Sequence, residues 1–262
     1  MTITLPSADF LMTLMDAADA ETLPLFRQDL TIDNKILASF DPVTEADRAA
    51  ERAIRDVIAA AYPDHAILGE EYGTTGKGPY QWVIDPIDGT RAFISGLPVW
   101  GTLVGLTVQG KARIGVMSQP FTRERFYADG NGAHMVWPGG KRTLSVRPTT
   151  NLSEATLFTT TPRLFTGEML PRFEALERRA RLTRFGVDCY AFAMLAAGQA
   201  DLVVETGLQP YDIVALIPII EQAGGIVSAL GGGAPEAGGT IIAAATAALH
   251  DEAVAVLSGS AG

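Results

Sequence analysis

Residues 82–90 read WVIDPIDGT: an apolar run, two aspartates three positions apart with a proline between them, then a Gly-Thr step. Gln81, Trp82, Val83 and Ile84 are apolar, aromatic and β-branched enough to predict a buried strand, ending where Pro86 removes a backbone donor. Asp85 would then stand at the strand's carboxyl end. Asp88, Gly89 and Thr90 look like the start of a helix, because aspartate is a favoured N-cap and glycine lets the backbone approach a ligand closely. Amides at a helix start point toward any nearby anion. The Asp85 and Asp88 carboxylates, with the Ile87 carbonyl between them, offer three hard oxygens suited to Mg²⁺ or Ca²⁺. Asp, Pro and Gly also make ordinary turns, so a turn at Asp85 and a plain cap at Asp88 remain the competing reading of this string taken alone.

The chain around it has 262 residues, 47% of them hydrophobic, which suffices for one large domain or two small ones. Acidic residues outnumber basic ones 30 to 20, and the formal charge of −10 disfavours nucleic-acid binding. Five arginines between Arg172 and Arg184 read better as a solvated helix face than as a phosphate site. The single cysteine, Cys189, excludes a disulfide framework and a cysteine-based zinc site, and fits a reducing cytoplasm. Asp9, Asp16 and Asp19 interrupt what a leader would need as an apolar stretch, and no run reaches the roughly 18 apolar residues of a membrane span. The expectation is a soluble, unprocessed protein.

Phe10, Leu11, Leu14, Met15 and Ala18 share one helical face behind Ser7 or Asp9 as cap. DPVTEAD, from Asp41 to Asp47, opens a second amphipathic helix to about residue 61; 66–68 is a short strand and 72–79 a Gly-rich loop. Segments 102–108, 112–118 and 125–128 follow as antiparallel strands. From residue 152 strands (156–160, 181–185, 202–204) alternate with helices (168–178, 190–197), the signature of an α/β layer. Residues 148–151 form the expected seam between an α+β half, 1–148, and an α/β half, 149–262, joined in one compact catalytic unit. A helical segment from Asp212 closes at Gly224 and Gly225, with Pro218 expected to kink it; a strand at 240–244 and a helix at 250–257 end the chain. Residues 29–41 and 72–79 are candidates for a loop that closes over the site.

Familiar catalytic motifs are absent. Glu71 stands where the first glycine of a phosphate-binding loop belongs, no GxSxG elbow or GxGxxG follows a strand, and His65, His134 and His250 are too scattered for HExxH. What remains is a set of carboxylates at the ends of predicted strands or the starts of helices: Asp47, Glu70, Asp85, Asp88 and Asp212. Each alone reads as a cap or a solvated charge. If Glu70, Asp85, Asp88 and Asp212 converge, they cannot all remain ionised without cations. Two or three Mg²⁺ ions would balance them and a phosphate monoester, polarise phosphoryl oxygens and activate a water.

With DPVTEAD at Asp41, GEE at Gly69, WVIDPIDGT at Trp82 and PYDIVALIPIIEQAGG at Pro210, the sequence resembles the Mg²⁺-dependent, lithium-sensitive inositol monophosphatase family over nearly its whole length. The resemblance implies a layered αβαβα sandwich of the sugar-phosphatase type, a homodimer, and two or three Mg²⁺ per active site. It implies Glu70, Asp85, the Ile87 carbonyl, Asp88 and Asp212 as metal ligands, with Asp47 behind them or holding a third, weaker ion. It further implies that Gly89 and Thr90 bind phosphate through backbone N–H groups. Thr90 and Glu70 would orient the attacking water, and Asp47 would support the Thr90 hydroxyl.

The segments LFTTTPRLF at Leu157, GVDCYAFAMLAAGQADLVVE at Gly186 and GLQPYDIVALIPIIEQAGG at Gly207 look most like the histidinol-phosphate phosphatase branch. That branch implies hydrolysis of L-histidinol phosphate, a step of histidine biosynthesis. The ammonium and imidazole of this substrate would find partners in Asp188 and Glu205, should these face the pocket; Asp88 and Asp212 would touch substrate as well. A structural role is the lesser, competing reading of Asp188, and Tyr190 could equally wall the pocket or pack in the core. An inositol-directed or broad monophosphatase is the alternative enzyme, and a catalytically silent assembly protein the alternative of another class.

Overall fold

The structure is a computed structural model that describes residues 5–29, 31–34 and 42–259. Most of the 29–41 loop, and Asp41 of the DPVTEAD block, lie outside the described residues. Helix α1 (Ala8–Thr22) starts behind Ser7, whose hydroxyl accepts the Phe10 N–H. It buries Leu11, Leu14, Met15 and Ala18, as their helical spacing predicts. Strands β1 (Asp33–Asn34) and β2 (Pro42–Val43) pair antiparallel ahead of α2 (Glu45–Ala61). Thr44 and Asp47 close a reciprocal capping box at the start of α2, and Ala46, Ala50, Ile54 and Ile58 form its buried stripe.

Eight strands make the larger sheet: β3 (Ala66–Gly69), β4 (Gly73–Thr75), β5 (Tyr80–Asp88), β6 (Gly101–Val108), β7 (Lys111–Gln119), β8 (Glu124–Ala128), β9 (Ala133–Trp137) and β10 (Gly140–Thr143). Their order is β10-β9-β8-β7-β6-β5-β3-β4, and only β3 and β5 run parallel. The predicted loop at 72–79 is therefore partly strand, β4 pairing with β3 through Gly69 and Gly73. Strand β5 also runs further than expected. Its pairing with β6 slips between Asp85 and Asp88, so Pro86 sits in a bulge where a missing N–H costs no ladder bond. Asp88 consequently ends the strand instead of capping a helix. The cap of α3 (Thr90–Ile94) is Gly89, left-handed at φ 82°.

The remaining elements are β11 (Thr156–Thr159), α4 (Met169–Arg179), β12 (Leu182–Phe185), α5 (Asp188–Ala196), β13 (Leu202–Leu208), α6 (Pro210–Ile213), α7 (Leu216–Gln222), β14 (Ile226–Ala229), β15 (Gly239–Ala244) and α8 (Ala247–Leu257). Their strands form a second sheet in the order β12-β11-β13-β15-β14. The break in the Asp212 helix falls at Val214 and Ala215, one turn before Pro218. Pro218 then occupies the first turn of α7, where its absent N–H breaks no helical bond.

Period-two alternation sorts these sheets into layers. Val104 and Leu106 of β6 face α1 and α2 with Trp82 and Ile84, whereas Leu103 faces α5 and α7. In β13, Val203 faces the same central helices, while Leu202 and Val204 face α4 and α8. The result is the αβαβα sandwich, three helical layers around two sheets, that the resemblance implied. On β5 the parity of Trp82 and Ile84 turns Asp85 toward the central layer, and on β13 the parity of Val203 does the same for Glu205.

The joint between α6 and α7 rests directly on the large sheet. A Cβ on Gly105 would lie 2.8 Å from the Ala215 nitrogen, and one on Gly115, its register partner, 2.1 Å from the Ala215 carbonyl oxygen. Two facing glycines thus let the helical joint sit against bare backbone, three residues beyond Asp212.

Candidate active site

A cavity of about 450 Å³ opens where β3, β5 and β13 end and α3, α5 and α6 begin. Glu70, Asp85, Ile87, Asp88, Gly89, Thr90, Asp188, Glu205 and Asp212 all line it, bringing the predicted ligand and substrate positions together from four segments of sequence. Asp47 stands behind this lining, fully buried on α2.

The four aspartates Asp47, Asp85, Asp88 and Asp212 are each aimed by a nearby backbone or hydroxyl group. Asp85 Oδ1 accepts the Ile87 N–H at 3.1 Å across the bulge, and the Thr102 hydroxyl donates to the Pro86 carbonyl at 2.8 Å, which fixes the turn. Asp88 Oδ2 accepts the Cys189 N–H at 2.6 Å, tying the end of β5 to the first turn of α5. Asp212 Oδ2 accepts the Gln209 N–H at 2.7 Å in a second capping box. Asp47 serves two ends at once: Oδ2 accepts the Thr44 amide and hydroxyl, while Oδ1 lies 3.5 Å from the Thr90 hydroxyl. The Thr90 hydroxyl is also 3.1 Å from the Ile87 carbonyl. Asp47 thus caps α2 through Thr44 while its other oxygen faces the Thr90 hydroxyl.

Asp85, Asp88 and Asp212 each present an oxygen within 4.8 Å of the others. Burial pushes the Asp85 carboxyl well above the usual range, and the charges of Glu70, Asp88 and Asp212 push it further. Burial does the same to Asp88, reinforced by Asp188 and Asp212 and opposed by the Cys189 amide. Asp47 is raised by burial against the bonds from Thr44. Crowding of this kind favours proton uptake, or a bound cation of matching size in its place. Its donors are carboxylate and carbonyl oxygens, the set for a hard divalent ion. The Cys189 thiol is buried with its pKa driven upward, so it offers no thiolate to a softer metal. The donor chemistry fits Mg²⁺.

The far wall is acidic too. Asp188 starts α5 with φ 42° and lies against Gly89, whose added Cβ would come within 2.9 Å of an Asp188 oxygen. Burial raises the Asp188 carboxyl, with the Arg91 charge and Thr160 opposing. Glu205 accepts the Thr160 N–H at 2.5 Å and the Thr159 and Thr160 hydroxyls at 3.3 and 3.0 Å. Burial still pushes its pKa up to about 7. Tyr190 is not part of this wall; its hydroxyl donates to Glu124 at 2.6 Å and its ring meets Phe126 edge-on, which resolves its role as packing.

Arg91, Thr160 and Gln209 also line the cavity and were not singled out from sequence. Arg91 directly follows the DGT step, so its place on the first turn of α3 was there to be read. Thr160 directly follows β11, and its partner Glu205 is 45 residues away, so no local pattern connects them.

Comparison with known proteins bears on what this pocket belongs to. The profile of the inositol monophosphatase family matches residues 6–260. The Bifunctional phosphatase IMPL2, chloroplastic, of Arabidopsis thaliana is 41% identical over 224 residues, covering 82% of this chain; the match spans only 62% of that protein's length. A histidinol-phosphatase of Streptomyces coelicolor is 35% identical over 256 residues, 94% of each chain. The solved structure of an inositol monophosphatase from Zymomonas mobilis superposes with a TM-score of 0.85 at 36% identity, covering 97% of this chain and 100% of that one. The chain belongs to the inositol monophosphatase family and is a phosphatase of that family.

Proposed function

We propose that this family member is a Mg²⁺-dependent phosphate monoester hydrolase whose substrate is L-histidinol phosphate. The observation that carries the hydrolase reading is the meeting of Asp85, Asp88 and Asp212 within 4.8 Å of one another beside the Gly89-Thr90 step. Glu70, Asp85, the Ile87 carbonyl, Asp88 and Asp212 would hold two or three Mg²⁺. When bound, the metal supplies Lewis-acid polarisation of the phosphoryl oxygens and a lowered water pKa. The Gly89 and Thr90 amides cradle the phosphate. Thr90 and Glu70 orient the attacking water, and Asp47 accepts from the Thr90 hydroxyl. No step here requires histidine or cysteine.

The substrate assignment rests on the acidic far wall. Inositol offers only hydroxyls, whereas histidinol brings an ammonium and an imidazole, and carboxylates at Asp188 and Glu205 suit those groups. The Streptomyces histidinol-phosphatase at 35% identity stands beside inositol monophosphatases of similar identity, so the choice rests on the wall and not on the likeness. In this reading the enzyme is a cytoplasmic, lithium-sensitive homodimer. The test is kcat/KM for L-histidinol phosphate and inositol 1-phosphate side by side in Mg²⁺. A strong preference for histidinol phosphate is expected. Comparable rates would overturn the specific assignment in favour of a broad monophosphatase, and no phosphate release from either would favour a silent assembly role.

A further inference from the structure

Glu51 is fully buried, one helical turn beyond Asp47 on α2, and takes no part in the site as assembled above. Its carboxylate reaches across to the turn between β3 and β4. Oε2 accepts the Glu71 N–H at 2.7 Å, and Oε1 accepts the Tyr72 N–H at 3.3 Å and the Arg55 Nε–H at 2.7 Å. Arg55, a further turn along α2, donates to the Gly73 carbonyl and the Thr75 hydroxyl of β4. Space for the carboxylate exists only because residue 69 is glycine: a Cβ there would fall 1.9 Å from Oε1. Glu70 is thus held from both sides, its own N–H donating to the Ile84 carbonyl of β5 at 3.1 Å and the next amide donating to Glu51.

We infer that Glu51 is a positioning residue for the metal-binding Glu70, acting through the backbone of the turn it anchors. The inference rests on the metal reading above and deepens it. A carboxylate is required because both of its oxygens receive donors. Glutamine would present an NH₂ either to the Glu71 amide or to the Tyr72 and Arg55 donors, and one side of the anchor must release. Partners that orient metal ligands through hydrogen bonds typically change metal affinity by about 10- to 100-fold.

The test is calorimetric titration of Mn²⁺ into the full chain, paired with the Mg²⁺ concentration that half-saturates phosphate release. Glu51→Gln should weaken Mn²⁺ binding by about 10- to 100-fold and raise the half-saturating Mg²⁺ in parallel. Gly69→Ala, which displaces the carboxylate without removing its charge, should act the same way and carries the test should Glu51→Gln not fold. Asp201→Asn is the control. Asp201 is another fully buried carboxylate anchoring backbone, at Thr156, but in the smaller sheet, and its variant should lose stability at unchanged Mn²⁺ affinity. Wild-type affinity in folded Glu51→Gln or Gly69→Ala would overturn the inference, as would an equal loss in Asp201→Asn. Failure of the wild type to bind Mn²⁺ would overturn the metal reading itself.

Discussion

Replacing Asp88 with asparagine should raise the stability of the metal-free protein and remove most of its stabilisation by Mg²⁺. Asparagine keeps an oxygen for the Cys189 N–H, so the tie between β5 and α5 survives and only charge is lost. That charge lies within 4.8 Å of oxygens on Asp85 and Asp212. At an effective dielectric constant of about 20, each like-charge pair at that distance costs about 3.5 kcal/mol while both groups are ionised. Uptake of protons by the cluster relieves part of this repulsion, which leaves a net gain of about 1–3 kcal/mol for the variant at neutral pH. For a chain of this size that is a rise in Tm of about 3–10 °C. Mg²⁺ at one hundred times its Kd should add about 2.7 kcal/mol, roughly 5–10 °C, to the wild type. A variant bound one hundredfold more weakly gains only about 0.4 kcal/mol. Melting curves of both proteins with EDTA and with Mg²⁺ should therefore show the advantage shifting from the variant without metal toward the wild type with it. A metal-free variant less stable than wild type, or equal Mg²⁺ shifts in both, would refute a charge-crowded metal site.

Glu205→Gln tests the buried carboxylate on the far wall. Its pKa rises from the usual carboxylate range to about 7, so the native state keeps a proton that the unfolded chain loses, and stability present at pH 4.5 falls as pH rises toward 7. The variant should remove about 3 kcal/mol of that loss, seen as a flatter plot of metal-free stability against pH by urea melts. Gly115→Ala places a Cβ 2.1 Å from the Ala215 carbonyl oxygen. It should cost about 1–3 kcal/mol and lower kcat by shifting Asp212, read from melting and phosphate release together. Asp188→Asn keeps a side chain tolerant of φ 42° while removing charge, and should cut turnover of histidinol phosphate far more than that of an aryl phosphate without a cation. Equal losses on both substrates would remove Asp188 from substrate recognition.

The layered fold was legible because its long elements carry strong periodic patterns: the α1 stripe, the α2 stripe and the strands 102–108 and 112–118 emerge within a residue or so of their predicted bounds. Short or exposed strands were not. Gly73–Thr75 and Gly140–Thr143 have almost no apolar face, and only pairing with a neighbour makes them strands. The last helix begins at Ala247, three residues early, because Thr246 caps it through its hydroxyl, a signal weaker than the apolar run that follows. Within the pocket, carboxylates at strand ends could be picked out by their shared position. The end of β5 was misread for a specific reason: proline signals a stop, yet a bulge absorbs it and carries the strand on to Asp88. Glu51 stayed invisible because its importance depends on what Gly69 lacks, eighteen positions away and on another element.

Anomalous diffraction from crystals grown with Mn²⁺ and inorganic phosphate is the most direct measure of whether this pocket is a metal-dependent phosphatase site. Peaks bounded by Glu70, Asp85, Asp88 and Asp212, with phosphate density against Gly89 and Thr90, are the expected result. A fully folded pocket without Mn²⁺ peaks at those carboxylates, at concentrations that support phosphate release, would contradict it.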